Sequence, residues 1–176
     1  MTEIANNRVL MTTRWLVYFI MGMIALAGTV LALVSVILPF YWSEAAASLA
    51  KQYPALDAAA VYPKLYVIFA LGILVLGVVW TVMRKLLAIV SSVEDGNPFV
   101  LANAIRLKAI GWLMITVQII GIPLAMVAKQ TANLFGENDV GVNISLNGIL
   151  SILLVFIVAG IFERGAVMRE ELEGTV

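Results

Sequence analysis

The chain has 176 residues, of which 62% are hydrophobic and only 12% are charged, whereas a soluble domain has about half apolar and about a quarter charged residues. The 11 basic and 11 acidic residues cancel, so the net charge indicates neither a nucleic-acid-binding surface nor an acidic disordered tail. Because Cys and His are absent, thiol nucleophiles, disulfides, Fe–S ligation and most zinc sites are excluded. The composition predicts one all-α membrane domain over residues 1–176, without catalytic residues, metal or cofactor.

The first apolar segment, residues 15–40, contains no charge and predicts a membrane-spanning helix. Its length of about 39 Å, at about 1.5 Å per residue, is enough to cross about 30 Å of hydrocarbon with some tilt. A signal peptide has an apolar core of only about 7–15 residues, so we interpret this segment as an uncleaved span. Residues 41–64 predict an outer loop with two short surface helices, the first capped by Ser43 and the second separated from it by Pro54.

Three more apolar segments, each close to the roughly 20 residues that a bilayer requires, predict spans two to four at residues 65–83, 109–128 and 144–162. A second outer loop is predicted at residues 129–143, where Gly, Asn and acidic residues show no periodicity. Residues 163–176 form a charged tail, interpreted either as a solvated segment or as a docking surface.

Residues 84–108, between spans two and three, predict a helical hairpin that extends both spans beyond the membrane. Asp95 and Gly96 form its turn, Asn97 is an N-cap residue type, and Pro98 suits the first position of the following helix. Phe99 is interpreted either as a wedge between the two arms or as an anchor for a partner.

The distribution of Lys and Arg predicts the orientation of the spans. Eight of these residues flank the spans on the side of the termini and the hairpin, and three lie on the other side. The excess predicts that both termini and the hairpin are cytoplasmic.

Four basic residues of the hairpin, Arg84, Lys85, Arg106 and Lys108, are predicted to form a collar at the membrane surface. One interpretation is that the collar anchors the hairpin to anionic headgroups, and the other is that it binds a ligand. Glu163 leaves span four at the same level, so we expect it to pair with Arg84 or Arg106.

Within the spans, the one strongly polar side chain near mid-membrane is Gln118, which is expected to hydrogen-bond a neighbouring span, with Thr29 as the candidate partner. No ionisable residue falls at a span centre, unlike in most ion-coupled transporters. Small residues four apart predict close helix contacts. These pairs are Gly28 with Ala32, Gly77 with Thr81, and Gly121 with Ala125.

Several motifs resemble one bacterial family of four-helix membrane proteins, domain of unknown function 2975. The best of them is the turn Glu94-Asp95-Gly96-Asn97-Pro98-Phe99. The others are Asn103, Arg106-Leu107, Ile110, Ser145-Leu146-Asn147-Gly148, Phe162, Gly165 and the ending from Glu170 to Val176. Members of that family are often encoded beside a very small helix-turn-helix transcriptional regulator of the Xre type. The resemblance implies a membrane component of a regulatory pair and supplies no catalytic residues.

The favoured hypothesis is therefore a non-enzymatic membrane protein that regulates or anchors a small cytoplasmic helix-turn-helix regulator and does not bind nucleic acid directly. The predicted partner-binding residues are Glu94, Asp95, Asn97, Pro98, Phe99, Glu170, Glu171 and Glu173. Two alternatives remain open at this stage. One is a transporter-like or lipid- or small-molecule-binding protein with a cavity near Gln118, and the other is a structural subunit that works as a homo-oligomer in the bilayer.

Overall fold

The computed structural model describes residues 2–54, 56–136 and 145–173, with side chains in the ranges 9–54, 56–136 and 145–172. Four α-helices make up most of this part of the chain: α1 (Thr2–Gln52), α2 (Ala58–Glu94), α3 (Leu101–Leu134) and α4 (Leu146–Glu173). All four are long and apolar enough to cross a membrane. The prediction of an all-α chain with four membrane-spanning helices is confirmed at this level.

Within the predicted outer loop at residues 41–64, the break at Pro54 is confirmed, but the separate short helix capped by Ser43 is wrong. Helix α1 continues past Pro39 and Ser43 to Gln52, and α2 already begins at Ala58. The physical reason is the Ala-rich composition after Ser43, since Ala has the highest helix propensity and the helix need not stop where the polar residues begin. The connection between α1 and α2 lies between Gln52 and Ala58. Asp57 is the N-cap of α2, because its Oδ1 accepts a hydrogen bond of 3.0 Å from the Ala59 N–H.

Two other predicted boundaries shift in the same direction. Helix α3 runs to Leu134, into the predicted loop 129–143, and α4 runs to Glu173, through most of the predicted tail 163–176. The tail is rich in Glu, Arg, Met and Leu, which favour helix in water as well as in lipid. Residues 137–143 and 174–176 of those two predictions lie outside the described residues. At the start of α4, the Gly148 N–H donates to Ser145 Oγ at 3.2 Å, so Ser145 is the N-cap of this helix.

The helices divide into two compact units. The first unit takes the described residues of Met1–Ile24, Val78–Thr116 and Ser145–Val176, and the second takes those of Ala25–Gly77 and Val117–Ile144. In both units large apolar side chains remain exposed, as far as 80% for Phe40 and 57% for Ile161. A monomer in water rarely exposes so much apolar surface, whereas lipid solvates such a surface. The exposure therefore agrees with membrane-spanning helices.

In the second unit, α1 and α2 pack through small and aromatic residues. The Tyr66 hydroxyl donates to the Ser35 carbonyl oxygen at 2.8 Å, and a Cβ placed on Gly72 would lie 3.6 Å from Leu31 Cδ1. The expected hydrogen bond between Gln118 and Thr29 is not among those of the described side chains, and the Thr29 hydroxyl donates instead to the Ala25 carbonyl of its own helix at 2.8 Å. A hydroxyl in a helix commonly takes this nearby acceptor.

The small-residue pairs predicted helix contacts only in part. A Cβ on Gly28 would lie 3.9 Å from Leu76 Cδ1, an ordinary contact, but a Cβ on Gly77 or Gly121 would meet nothing within 4 Å. The closest approaches to glycine are instead at Gly111 and Gly165 in the first unit, where aromatic rings face the backbone. Spacing alone does not determine which glycine faces a neighbour, because that depends on the rotation of the helix.

Candidate functional site at the turn between α2 and α3

The α2–α3 turn, residues 95–100, begins with a specific helix termination. Gly96 has a φ of +76°, the Gly96 N–H donates to the Val93 carbonyl at 3.1 Å, and the Asn97 N–H donates to the Ser92 carbonyl at 3.0 Å. These two bonds are those of a Schellman motif, which needs a left-handed residue at its centre. Gly is favoured at that position because it adopts positive φ without a steric penalty. The prediction of a stop at Asp95-Gly96 is confirmed.

The predicted start of the next helix at Asn97 and Pro98 is wrong, since α3 begins at Leu101. Asn97 already belongs to the termination of α2, and its Nδ2 donates to the Asp95 carbonyl at 3.3 Å. The first turn of α3 is marked instead by the Asn103 N–H, which donates to the Val100 carbonyl at 2.9 Å. The physical reason for the shift is that one residue cannot close one helix and cap the next in the same backbone conformation.

Asn103 lies at the centre of the site and is fully buried although its side chain is polar. Its Nδ2 donates to Ser92 Oγ at 3.0 Å and to the Pro98 carbonyl at 2.9 Å, and its Oδ1 accepts a 2.7 Å hydrogen bond from Arg106 Nη1. Both amide hydrogens and the amide oxygen are therefore engaged, as burial of an amide requires.

The bonds of Asn103 are part of a longer network. The Ser92 hydroxyl donates to the Asn97 carbonyl at 2.7 Å, and Arg106 Nη1 also donates to the Ala88 carbonyl at 3.2 Å. The end of α2, the turn and the start of α3 are thereby joined through side chains as well as through the backbone. A fully satisfied polar network of this kind holds its members in one arrangement.

One interpretation predicted that Phe99 is a wedge between the two arms of the hairpin. The structure does not place it there. Its ring packs on α4, with its centroid 5.2 Å from that of Phe162, and a Cβ on Gly165 would lie 2.7 Å from Phe99 Cδ1. The absence of a side chain at Gly165 makes room for the ring. Because Phe99 is still 43% exposed, its role as an anchor for a partner stays a prediction.

The acidic residues assigned to partner binding lie in different surroundings. Glu94 Oε2 forms an ion pair with Arg14 Nη1 at 3.0 Å, which ties the end of α2 to the start of α1. Asp95, Glu170 and Glu171 are exposed. The side chain of Glu173 lies outside the described residues.

The four residues of the predicted collar also differ in their environments. Lys108 Nζ forms an ion pair with Glu163 Oε1 at 2.8 Å, so the expected pairing of Glu163 with Arg84 or Arg106 is wrong. Arg106 is half-buried and directed at Asn103, because the amide oxygen lies one helical turn before it on α3. Arg84 is exposed and Lys85 is half-buried.

An open groove of about 470 Å³ runs beside the turn and is lined by Met11, Arg14, Trp15, Tyr18 and Glu94. The Arg14 guanidinium carbon lies 5.8 Å from the centroid of the Tyr18 ring, an arrangement favourable to a cation–π contact. In the part of the chain with described side chains, no group of three His, Cys, Asp or Glu residues could hold a metal ion.

Sequence reasoning missed both Asn103 and Arg14 as residues of this site. The signal for Asn103 was available, because it lies four residues before Leu107 and seven before Ile110, on their face of the helix, where an amide is expected to be buried only with partners. Arg14 was counted only for orientation. Its pairing with Glu94 depends on how α1 packs against α2, which charge counting does not address.

The chain matches a known protein family. The family described as "Protein of unknown function (DUF2975)" matches residues 44–176, which is most of the chain and includes the whole α2–α3 turn. No curated protein and no solved structure matches the chain.

Proposed function

Since the chain belongs to the DUF2975 family of proteins of unknown function and has four helices able to cross a membrane, we propose that it is a non-enzymatic membrane protein. In this proposal it regulates or anchors a small cytoplasmic helix-turn-helix transcription factor. The protein resides in the bacterial inner membrane with both termini and the α2–α3 turn in the cytoplasm. The excess of Lys and Arg on that side of the spans supports this orientation.

The observation that carries the proposal is the Asn103 network. The turn has only six residues, but side chains from both flanking helices hold it, while Asp95 and part of the Phe99 ring remain exposed. A surface that is already ordered loses less conformational entropy when it binds a partner. A turn that served only to connect two spans would not need a buried amide with three hydrogen bonds.

Charge favours a basic partner. The exposed acidic residues Asp95, Glu170 and Glu171 belong to the same compact unit as the turn. A helix-turn-helix protein binds DNA phosphates through basic residues, so its DNA-binding surface is complementary to these acids. Binding at the membrane would then compete with binding to DNA, and release would allow the regulator to reach its operator.

The test is affinity purification of the tagged full-length protein from native membranes, followed by mass spectrometry of the co-purifying proteins. The two single charge reversals, Asp95→Lys and Glu170→Lys, should each remove a small basic helix-turn-helix protein from the eluate. Glu44→Lys is the matched control, because Glu44 is an exposed acid near the C-terminal end of α1. It should leave the co-purifying protein unchanged.

A second arm examines Phe99. If it is an anchor, Phe99→Ala weakens partner binding by about 1 kcal/mol or more, as a hot-spot residue does. The thermal stability of the variant is measured in parallel, because Phe99 also packs on Phe162. Absence of any such regulator from the wild-type eluate, or equal recovery with all three charge variants, would contradict the proposed function.

A further inference from the structure

Three cations near the membrane end of the hairpin have no anionic partner among the side chains that the structure describes. Of the basic residues in the hairpin, Lys108 pairs with Glu163. Arg84, Lys85 and Arg106 form no ion pair with any residue whose side chain the structure describes. The Glu94 carboxylate, which is also in the hairpin, pairs with Arg14 of α1. This part of the chain therefore holds an excess of positive charge.

Arg106 is the most constrained of the three. Its Nη1 contacts only neutral oxygens, those of the Asn103 amide at 2.7 Å and the Ala88 carbonyl at 3.2 Å, and its side chain is half-buried. Neutral acceptors satisfy the hydrogen bonds but do not neutralise the charge. A partly desolvated guanidinium is stabilised when an anion completes its surroundings.

Lys85 lies on the face of α2 that packs against α3. Lys85, Ala88 and Ser92 are spaced by three and four residues, so they share one face of α2. That face meets α3, because the Ala88 carbonyl and the Ser92 hydroxyl accept hydrogen bonds from Arg106 and Asn103. Lys85 is three residues from Ala88, or about 4.5 Å along the axis, and lies towards the apolar stretch of α2.

The position of Lys85 and Arg106 in the chain indicates which kind of anion they bind. Residues 65–83 of α2 contain no charge, and Arg84 and Lys85 follow them directly. Where an apolar span ends, the anions available in the membrane are the phosphates of lipid headgroups. We propose that Lys85 and Arg106, with Arg84 beside them, bind the headgroup of an anionic phospholipid, whose phosphodiester has no cationic choline to neutralise it.

The test is native mass spectrometry of the full-length protein released from detergent with phosphatidylglycerol or with zwitterionic phosphatidylcholine. The wild type should retain one phosphatidylglycerol and discriminate against phosphatidylcholine. Lys85→Gln should weaken retention about fivefold, as expected for one cation at a lipid surface. Arg84→Gln is the second variant, and since Arg84 is exposed, its removal leaves the helix contacts in place.

The matched control is Lys108→Gln, which removes the same charge from the same hairpin but at a residue already paired with Glu163. It should retain phosphatidylglycerol as the wild type does. Equal weakening by Lys85→Gln and Lys108→Gln, or equal retention of the two lipids, would overturn the site. Displacement of the lipid by millimolar inorganic phosphate would assign the site to free phosphate and overturn its assignment to a lipid. None of these measurements requires the proposed regulator, so the two proposals fail separately.

Discussion

The Phe99 ring lies directly over the backbone of Gly165, where a Cβ would come within 2.7 Å of Phe99 Cδ1. These residues belong to the α2–α3 turn and to α4, so the contact connects the turn to a helix far away in the sequence. Glycine is tolerated inside α4 at this point despite its low helix propensity, because any larger residue displaces the ring.

Gly165→Ala is therefore predicted to be less stable than Gly160→Ala by about 1 kcal/mol or more. Both substitutions gain the same helix propensity on α4, but a Cβ on Gly160 meets nothing within 4 Å. Thermal unfolding of the two variants in detergent measures the difference. In a Phe99→Ala background the difference should disappear, and its persistence there would show that the ring is not the cause.

Asn103→Ala is predicted to destabilise the protein by about 2 kcal/mol or more. The substitution leaves Ser92 and Arg106 without the amide that they contact, and each lost partner in a buried site costs about 1–3 kcal/mol. Asn97→Ala is the control, because the Asn97 side chain makes an exposed hydrogen bond of 3.3 Å, and its effect should remain within about 0.5 kcal/mol. A double-mutant cycle with Ser92→Ala should be non-additive. Equal effects of the two Asn substitutions would contradict the central role of Asn103.

Glu163→Gln is predicted to change stability by less than about 1 kcal/mol, although the Lys108–Glu163 distance is only 2.8 Å. Both side chains are more than 40% exposed, so water and salt screen the pair. Thermal unfolding at low and high salt tests this, and the small difference between wild type and variant should vanish at high salt. A large effect that persists in salt would mean that the pair is shielded from solvent.

The orientation makes a separate prediction. A reporter fused after Val176 should be active in the cytoplasm, and one inserted in the connection after Gln52 should be active on the opposite side of the membrane. The second site follows the end of α1, so the insertion does not interrupt a helix. The reverse pattern of activities would contradict the orientation inferred from Lys and Arg.

The number of helices could be predicted from the sequence because hydrocarbon imposes a minimum length of apolar residues on each span. The helix ends could not, since that constraint stops at the membrane surface. Residues 45–50 and 163–173 are polar or Ala-rich, but their side chains still favour helix, so α1 and α4 continue without an apolar signal.

In the candidate site, too, the local features could be predicted from the sequence and the long-range contacts could not. Gly96 marked the end of α2 correctly, because positive φ is a local requirement. The contacts of Phe99 with α4 and of Arg14 with Glu94 join residues distant in the sequence. No local pattern encodes such contacts, because they depend on how the helices pack and rotate.

The contacts with α4 also have a consequence for biosynthesis. Phe99, Lys108 and Gly111 each meet a residue of α4: Gly165, Glu163 and Phe156, respectively. Translation makes α4 after α3, so the hairpin emerges from the ribosome before the surface that it packs against exists. The first unit therefore completes its packing only after α4 has been made, and until then the Phe99 ring and the α3 backbone at Gly111 lack the contacts that α4 provides.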